Sequence, residues 1–408
     1  MSASSHSERA SAPPFAILAF MLAALAMLGP FSVDTYLPAF ELIGQSLRAT
    51  PLQVQQTLSA YMFAFSLMVI WHGPLSDSYG RRRVILLSLA VFLLASIGCA
   101  LAQNVQTLWC FRVLQGLSSG AGTVVGRAII RDWHSGPQAE RLMSLVTMIF
   151  SIAPAIAPII GGLIISVTDW HMIFWLLTAY TLLLLLACWR WLPESHPQSD
   201  RIPFAPRPAL ASLRQVMGNV RFWQRAGPVA LNFAGLFLYI SSAPVIIQQH
   251  LNLSVHGYSW LFIPTVSGMF LGSLAANRMA GRLASTRQTA IGFSLLLSAA
   301  GMQLLWHLLQ PPALPWSVLP LFFYSAGHSI ITPPATMQVL DQFPHIRGAA
   351  AACQSFCLTM LCALVAGVVA PFLASDLRGL AAGQMSMVLL SVYLWRQGQQ
   401  TGQKHRRK

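Results

Sequence analysis

Charge is what this chain has least of. Asp, Glu, Lys and Arg make up 9% of its 408 residues, against roughly 25% in a soluble domain. Eleven acidic and 25 basic side chains cannot cover a water-facing surface of this size, which excludes a soluble enzyme. Cysteine is also sparse: six residues, no two at CxxC spacing, exclude a secreted disulfide scaffold. His-x-x-x-His, Cys/His metal spacing, a Walker loop and a Ser-His-Asp arrangement are all missing. No cofactor or metal is therefore expected, and no ATP-driven step within this chain.

What is present is apolar length. Hydrophobic residues make up 55% of the chain, and a bilayer core of about 30 Å needs about 20 of them per helical span. Twelve such stretches are legible, near 15–40, 53–75, 84–103, 107–130, 142–167, 171–192, 223–247, 257–280, 288–309, 316–340, 348–373 and 380–395, the last the shortest. The fold class is an all-α membrane protein with twelve transmembrane helices. The first stretch exceeds the 7–15 apolar residues of a secretory signal core, so it reads as a retained helix.

The basic residues set the orientation. With a cytoplasmic N-terminus, 21 of the 25 Lys and Arg fall on inside segments and only Arg48 and Arg378 on outside loops. Arg112 and Arg127 lie within the fourth span. By the positive-inside rule both termini are expected in the cytoplasm. The net charge of +14 is then a record of topology, and no nucleic-acid partner is implied. A proline-rich basic connector, 193–222, divides an N-terminal six-helix bundle (15–192) from a C-terminal one (223–395), with a basic tail at 396–408. Such a connector reads as a linker, and six spans plus six is the pattern of a transporter built from two repeats.

Few ionisable residues interrupt the spans, and each costs roughly 2.5–3.5 kcal/mol to insert. Asp34 lies about 28 Å along the first span and Arg112 about 27 Å from the same membrane side, so the two are expected to face each other. Burial and a neighbouring guanidinium act in opposite senses on a carboxyl, which suits it to load and unload a proton. Gly73, Asp77, Gly80, Arg81, Arg82 and Arg83 form a tight charged turn after the second span. Gly80 permits a left-handed backbone there, and Asp77 can pair with the arginines as a latch between helices. Gly272, Asn277, Arg278, Gly281 and Arg282 repeat this turn faintly in the second half. Pro154, Pro158, Gly161 and Gly162 mark the fifth span as a hinge or packing seam. Tyr36, Tyr61, Gln115, Asn232, Tyr239, His328 and Gln354 are polar or aromatic positions suited either to a substrate cavity or to ordinary packing. Asp132, Asp341 and His345 lie on inside loops at spacings that fit no reaction, so no enzyme is expected.

Several of these stretches resemble the major facilitator superfamily. Gly73-Pro-Leu-Ser-Asp77-Ser-Tyr-Gly80-Arg-Arg-Arg83 looks like its loop 2–3 signature. Leu108-x3-Arg112-x2-Gln115-Gly116 and Pro158-x2-Gly161-Gly162 look like the helix-4 and helix-5 motifs of drug/proton antiporters, although Ala157 stands where the latter usually has Gly. Ser32-Val-Asp34-Thr-Tyr36-Leu37-Pro38, Arg131-Asp132, Trp170-His171-x-Ile-Phe174-Trp175 and Leu340-Asp341-x-Phe343-Pro344-x3-Gly348 are similar to its bicyclomycin-resistance branch. The resemblance implies two six-helix bundles working by alternating access in a bacterial inner membrane. It implies export of small amphipathic drugs or antibiotics in exchange for protons, and the chain is expected to act as a monomer. Asp34 would couple protons and substrate, Arg112 would tune that site, and the Asp77–Arg83 turn would gate the cytoplasmic side. Export of a cellular metabolite, such as an amino acid or sugar derivative, is the alternative. The second half has no acid or deep arginine within its spans, which favours neutral or weakly charged cargo.

Overall fold

In the computed structural model the chain is described over residues 13–406, with side chains described for 13–400. Arg9, Lys404, Arg406, Arg407 and Lys408, counted above, lie outside the described side chains. The chain is all-helical and crosses the bilayer twelve times, with no strand among the described residues.

The first half begins with α1 (Phe15–Asp34), which passes through a 3-10 turn at Leu37–Ala39 into α2 (Phe40–Ser46). It continues with α3 (Pro51–Tyr79), α4 (Arg81–Ala100), α5 (Val105–Ser119), α6 (Ala121–Trp133), α7 (Gly136–Val167) and α8 (His171–Trp191). The connector contains α9 (Pro206–Met217). The second half comprises α10 (Val220–Ser241), α11 (Tyr258–Met279), α12 (Ser285–Leu309), α13 (Leu319–Gln342), α14 (Arg347–Leu364), α15 (Ala370–Leu373) and α16 (Leu377–Arg406). Wider π turns follow α10 at Val245–His250 and α14 at Val365–Val369.

Local chemistry sets several of these boundaries. Thr50 and Gln53 form a reciprocal capping box at the start of α3. Asn104 caps α5 by accepting from the Thr107 amide at 2.8 Å. Among the described residues nine helical segments are long and apolar enough to cross a membrane by length and composition alone. The other three crossings are α5–α6, divided at Gly120, and the more polar α10 and α13.

Two boundaries differ from the sequence reading. The last helix is 30 residues long and its candidate span, Leu377–Gln400, is not the shortest, because Gln- and Arg-rich sequence ends the apolar run without ending the helix. The connector is not a simple spacer. Pro206 and Pro208 fall in the first turn of α9, where proline is compatible with a helix. Val216 and its neighbour Leu213 then pack against Ala350, Cys353 and Cys357 of α14. At the other end of the connector, Phe204 sits against the rings of Trp71 and Tyr79 on α3, with centroids 6.1 and 6.5 Å away.

An even number of crossings puts both chain ends on one face, the terminal face. At the opposite face the two halves are clasped along α3 and α14 and along α7 and α11. From α3, the Gln55 amide donates to the carbonyls of Ala366 (3.1 Å) and Ser241 (3.4 Å). Gln56 donates to Gly367 at 2.7 Å and Ser59 to Ala363 at 3.0 Å. Apart from Ser241, which ends α10, these acceptors lie at or beside the wide turn after α14. Tyr258 of α11 donates across the seam to the Leu37 carbonyl at 3.3 Å.

Candidate functional site

The site in the first half is built around Arg112. This side chain is fully buried, which is costly unless its donors are used and its charge is offset. Its Nη1 donates to the Ser32 carbonyl (3.1 Å), to Ser32 Oγ (2.9 Å) and to Gln115 Oε1 (2.8 Å). Its guanidinium carbon lies 4.7 Å from the centroid of the Tyr36 ring and 4.4 Å from that of Tyr61. Each such stacking is worth up to about 2 kcal/mol where water is excluded.

The cage is itself braced. Tyr36 and Thr57 share a hydrogen bond of 2.7 Å, Tyr61 donates to Ser119 at 2.8 Å, and the Gln115 amide donates to Ser96 at 2.8 Å. Tyr36, Tyr61 and Gln115 therefore surround Arg112 and are essentially inaccessible; the structure makes them walls of this cage. The Nε and Nη2 groups of Arg112 have no protein acceptor.

Asp34 closes α1 two residues beyond Ser32 and is buried to 5% exposure. No ion pair joins it to Arg112, whose guanidinium meets the Ser32 carbonyl and hydroxyl instead. Asp34 has no ion-pair partner among the described residues. One residue later, the backbone carbonyl of Thr35 lies against Gly161 of α7, closely enough that any Cβ there would collide with it. The neighbouring Gly162 faces the other way: a Cβ on it would be 2.9 Å from the Val255 carbonyl oxygen at the start of the second half's second crossing. α7 runs unbroken through Pro154 and Pro158. Its paired glycines thus let it approach both halves at once, which is the packing-seam reading.

At the terminal face, the Gly73–Arg83 turn is part of a larger network. Gly80 adopts φ +97°, which only glycine tolerates well, and joins α3 to α4 in a single residue. Arg81 then bonds to Asp77 and Ser76, and its Nε donates to Asp132 of α6 at 3.1 Å. Ser195 Oγ also donates to Asp132 at 2.8 Å. The Arg81 amide donates to Glu194 at 2.8 Å, and Arg201 lies 3.6 Å from the same carboxylate. Arg82 donates to the Trp189 carbonyl at 2.6 Å. No ion pair of Arg83 occurs among the described residues.

The sequence reading does not place Asp132, Glu194 or Ser195 in this network; it has Asp132 only in the Arg131-Asp132 motif and among the inside-loop residues weighed for an enzyme site. The Arg131-Asp132 dipeptide at a helix end was the available signal. In the second half the backbone echo survives, since Gly281 has φ +73°. The charge network does not: no acid pairs with Arg278 or Arg282 among the described residues.

The remaining polar positions lie in the second half. Asn232 is fully buried, with neither its amide nitrogen nor its oxygen bonded to protein, and the Tyr239 hydroxyl is likewise unpartnered. Tyr324 donates to the Asn232 backbone carbonyl at 3.0 Å. His328 sits 5.3 Å from the Phe233 ring, with Nε2 3.3 Å from Thr332 Oγ1 and Nδ1 unpartnered. Gln354 donates to Thr336 at 2.8 Å and leaves its carbonyl oxygen free. This half thus offers neutral hydrogen-bonding groups and aromatic rings, and no charged group at comparable depth.

Comparison with known proteins agrees with this architecture. A family model described as Major Facilitator Superfamily matches residues 19–371. An uncharacterized MFS-type transporter of Bacillus subtilis is 31% identical over 356 residues, 87% of each chain. Multidrug resistance protein D of Escherichia coli is 28% identical, covering 82% of this chain and 84% of its own. A bicyclomycin resistance protein homolog of Haemophilus influenzae is 27% identical over the same shares. Among solved structures, a bacterial homolog of the human lysosomal transporter Spinster, inward-facing and unoccupied, superposes with a TM-score of 0.72. It shares 15% identity and covers 96% of this chain and 98% of its own. The human organic anion transporter MFSD10 superposes with a TM-score of 0.69 at 19% identity, covering 94% of this chain and all of its own.

Proposed function

The chain belongs to the major facilitator superfamily, and from that premise we propose that it is a proton-coupled exporter of small amphipathic drugs or antibiotics. In this reading it acts as a monomer in a bacterial inner membrane, both termini in the cytoplasm, and needs no cofactor beyond the proton gradient. The terminal face is then cytoplasmic and the clasped face periplasmic. Export proceeds by alternating access of the two halves.

The observation that carries the reading is Asp34: a buried carboxyl two residues beyond the Ser32 that holds Arg112, with no ion-pair partner among the described residues. A structural acid in a membrane is normally paired. This one has no cation bonded to it, the Arg112 guanidinium being engaged by Ser32 and Gln115, so it is free to exchange a proton as the site changes sides. Arg112 supplies the fixed positive charge that tunes this exchange. Asn232, Tyr239, His328 and Gln354 offer neutral contacts for cargo. The Asp77–Arg83 turn, tied to Asp132 and Glu194, holds the cytoplasmic ends of the first half as a unit during the motion. The names of the bicyclomycin- and multidrug-resistance relatives support drugs as cargo.

The test is proton release from energised everted vesicles on addition of a panel of antibiotics and amino acids, comparing wild type with Asp34→Asn. An antibiotic response that disappears in Asp34→Asn, with the protein still in the membrane, is expected. Full proton-driven transport by the variant would overturn the role of Asp34. A response to amino acids alone would replace drug export by metabolite export.

A further inference from the structure

A crevice of about 500 Å³ opens beside the clasped seam, within the roughly 300–1,000 Å³ range of small-molecule sites. Its walls come from three helices and both halves: Gln56, Ser59 and Phe63 of α3, Trp109, Cys110 and Val113 of α5, and the Ala363–Val368 stretch after α14. No acidic or basic side chain lines it. Phe63, Leu364 and Val368 at its rim are each about half exposed. In a protein surrounded by hydrocarbon, such a rim faces lipid. The α3 residues that line it lie about 8–18 Å along the axis from Pro51, which places the crevice inside one leaflet of a roughly 30 Å core.

We propose that this crevice is a binding site for one acyl chain of a membrane lipid from the leaflet at the clasped face. Three observations favour that occupant over an aqueous solute. The lining is uncharged, the opening is framed by apolar side chains, and the polar groups that reach it are already committed: Gln56 to Gly367 and Ser59 to Ala363. The crevice is also continuous with the seam between the halves. A chain lying there touches both, and its full complement of contacts exists only while that face is closed. Occupancy then favours the closed face by mass action. The binding claim stands whatever the transporter carries.

The test uses the full chain in proteoliposomes doped with a phosphatidylcholine bearing a photoactivatable mid-chain diazirine. Illumination and peptide mapping are expected to place adducts on Phe63, Trp109, Cys110 and Leu364 at several times the density found on Leu183 and Leu186 of α8, which are more exposed than Phe63 and Leu364. Val113→Trp, which fills the crevice, should abolish this excess without changing labelling of α8. Ala60→Leu fills it less drastically and serves if the tryptophan variant does not fold. Labelling no denser than on α8, or an excess that survives filling, would overturn the proposal.

Discussion

Removing the three α3 donors that clasp the halves should release the closed face by a calculable amount. The perturbation is Gln55→Leu, Gln56→Leu and Ser59→Ala together, which deletes the bonds to Ala366, Gly367 and Ala363 and the longer one to Ser241. Side-chain hydrogen bonds between membrane helices average about 0.6 kcal/mol, so three principal bonds contribute about 2 kcal/mol. At about 1.4 kcal/mol per decade, the closed-to-open ratio should fall about thirtyfold. Carbonyls left without donors in the seam push the same way. Ala39 is fully buried behind this face. In an Ala39→Cys, Cys110→Ser background, its alkylation by a membrane-impermeant maleimide added at the clasped face reads the open fraction. The rate should rise by more than an order of magnitude in the triple variant. An unchanged rate would show that apolar packing between α3 and α14, and of α7 against α11, closes the face without help from these bonds.

Two further outcomes are expected at the terminal face. Asp77→Ala should slow turnover more than it weakens cargo binding, measured as separate effects on transport rate and on equilibrium binding of the same compound; equal effects would remove the latch role. Asp132→Asn deprives Arg81 Nε of its carboxylate and Ser195 of its acceptor's charge. It should lower the unfolding free energy by about 1–3 kcal/mol, seen as a reduced melting temperature of the purified protein. A melting temperature equal to wild type would show that Ser76 and Asp77 suffice to hold Arg81.

The twelve crossings were legible because apolar length is a local property of sequence. The same reasoning failed at the last helix, where polar residues such as Gln397 and Gln399 ended the hydropathy signal but not the hydrogen-bonding pattern. At the site, the depths of Asp34 and Arg112 were readable and the partners of Arg112 were not. Depth along two helices fixes height, not azimuth, and the guanidinium took the nearer oxygens of Ser32. The Tyr36–Tyr61 cage was unreadable for the same reason, since its members come from the turn after α1 and from α3, around a residue on α5. Cross-chain acceptors are the hardest to read. Gln55 and Gln56 were visible as polar residues early in an apolar span, but their partners are backbone carbonyls more than 180 residues away. The backbone of the second charged turn, with Gly281 at positive φ, was legible from its faint repeat of the first.

The docked connector limits motion in a way its length conceals. Phe204 is fixed on α3 and Leu213 on α14, so the piece that must accommodate relative displacement of the halves is only the chain between those two points. Most of it is helical, and its contour is about 18 Å. A thirty-residue coil would let the halves drift apart without resistance, whereas this short strut has a maximum extension. Beyond that separation, α9 must unwind or Phe204 must leave its aromatic seat. If the halves move by the proposed alternating access, their stroke at the terminal face has a mechanical stop, set by one ring and two turns of helix.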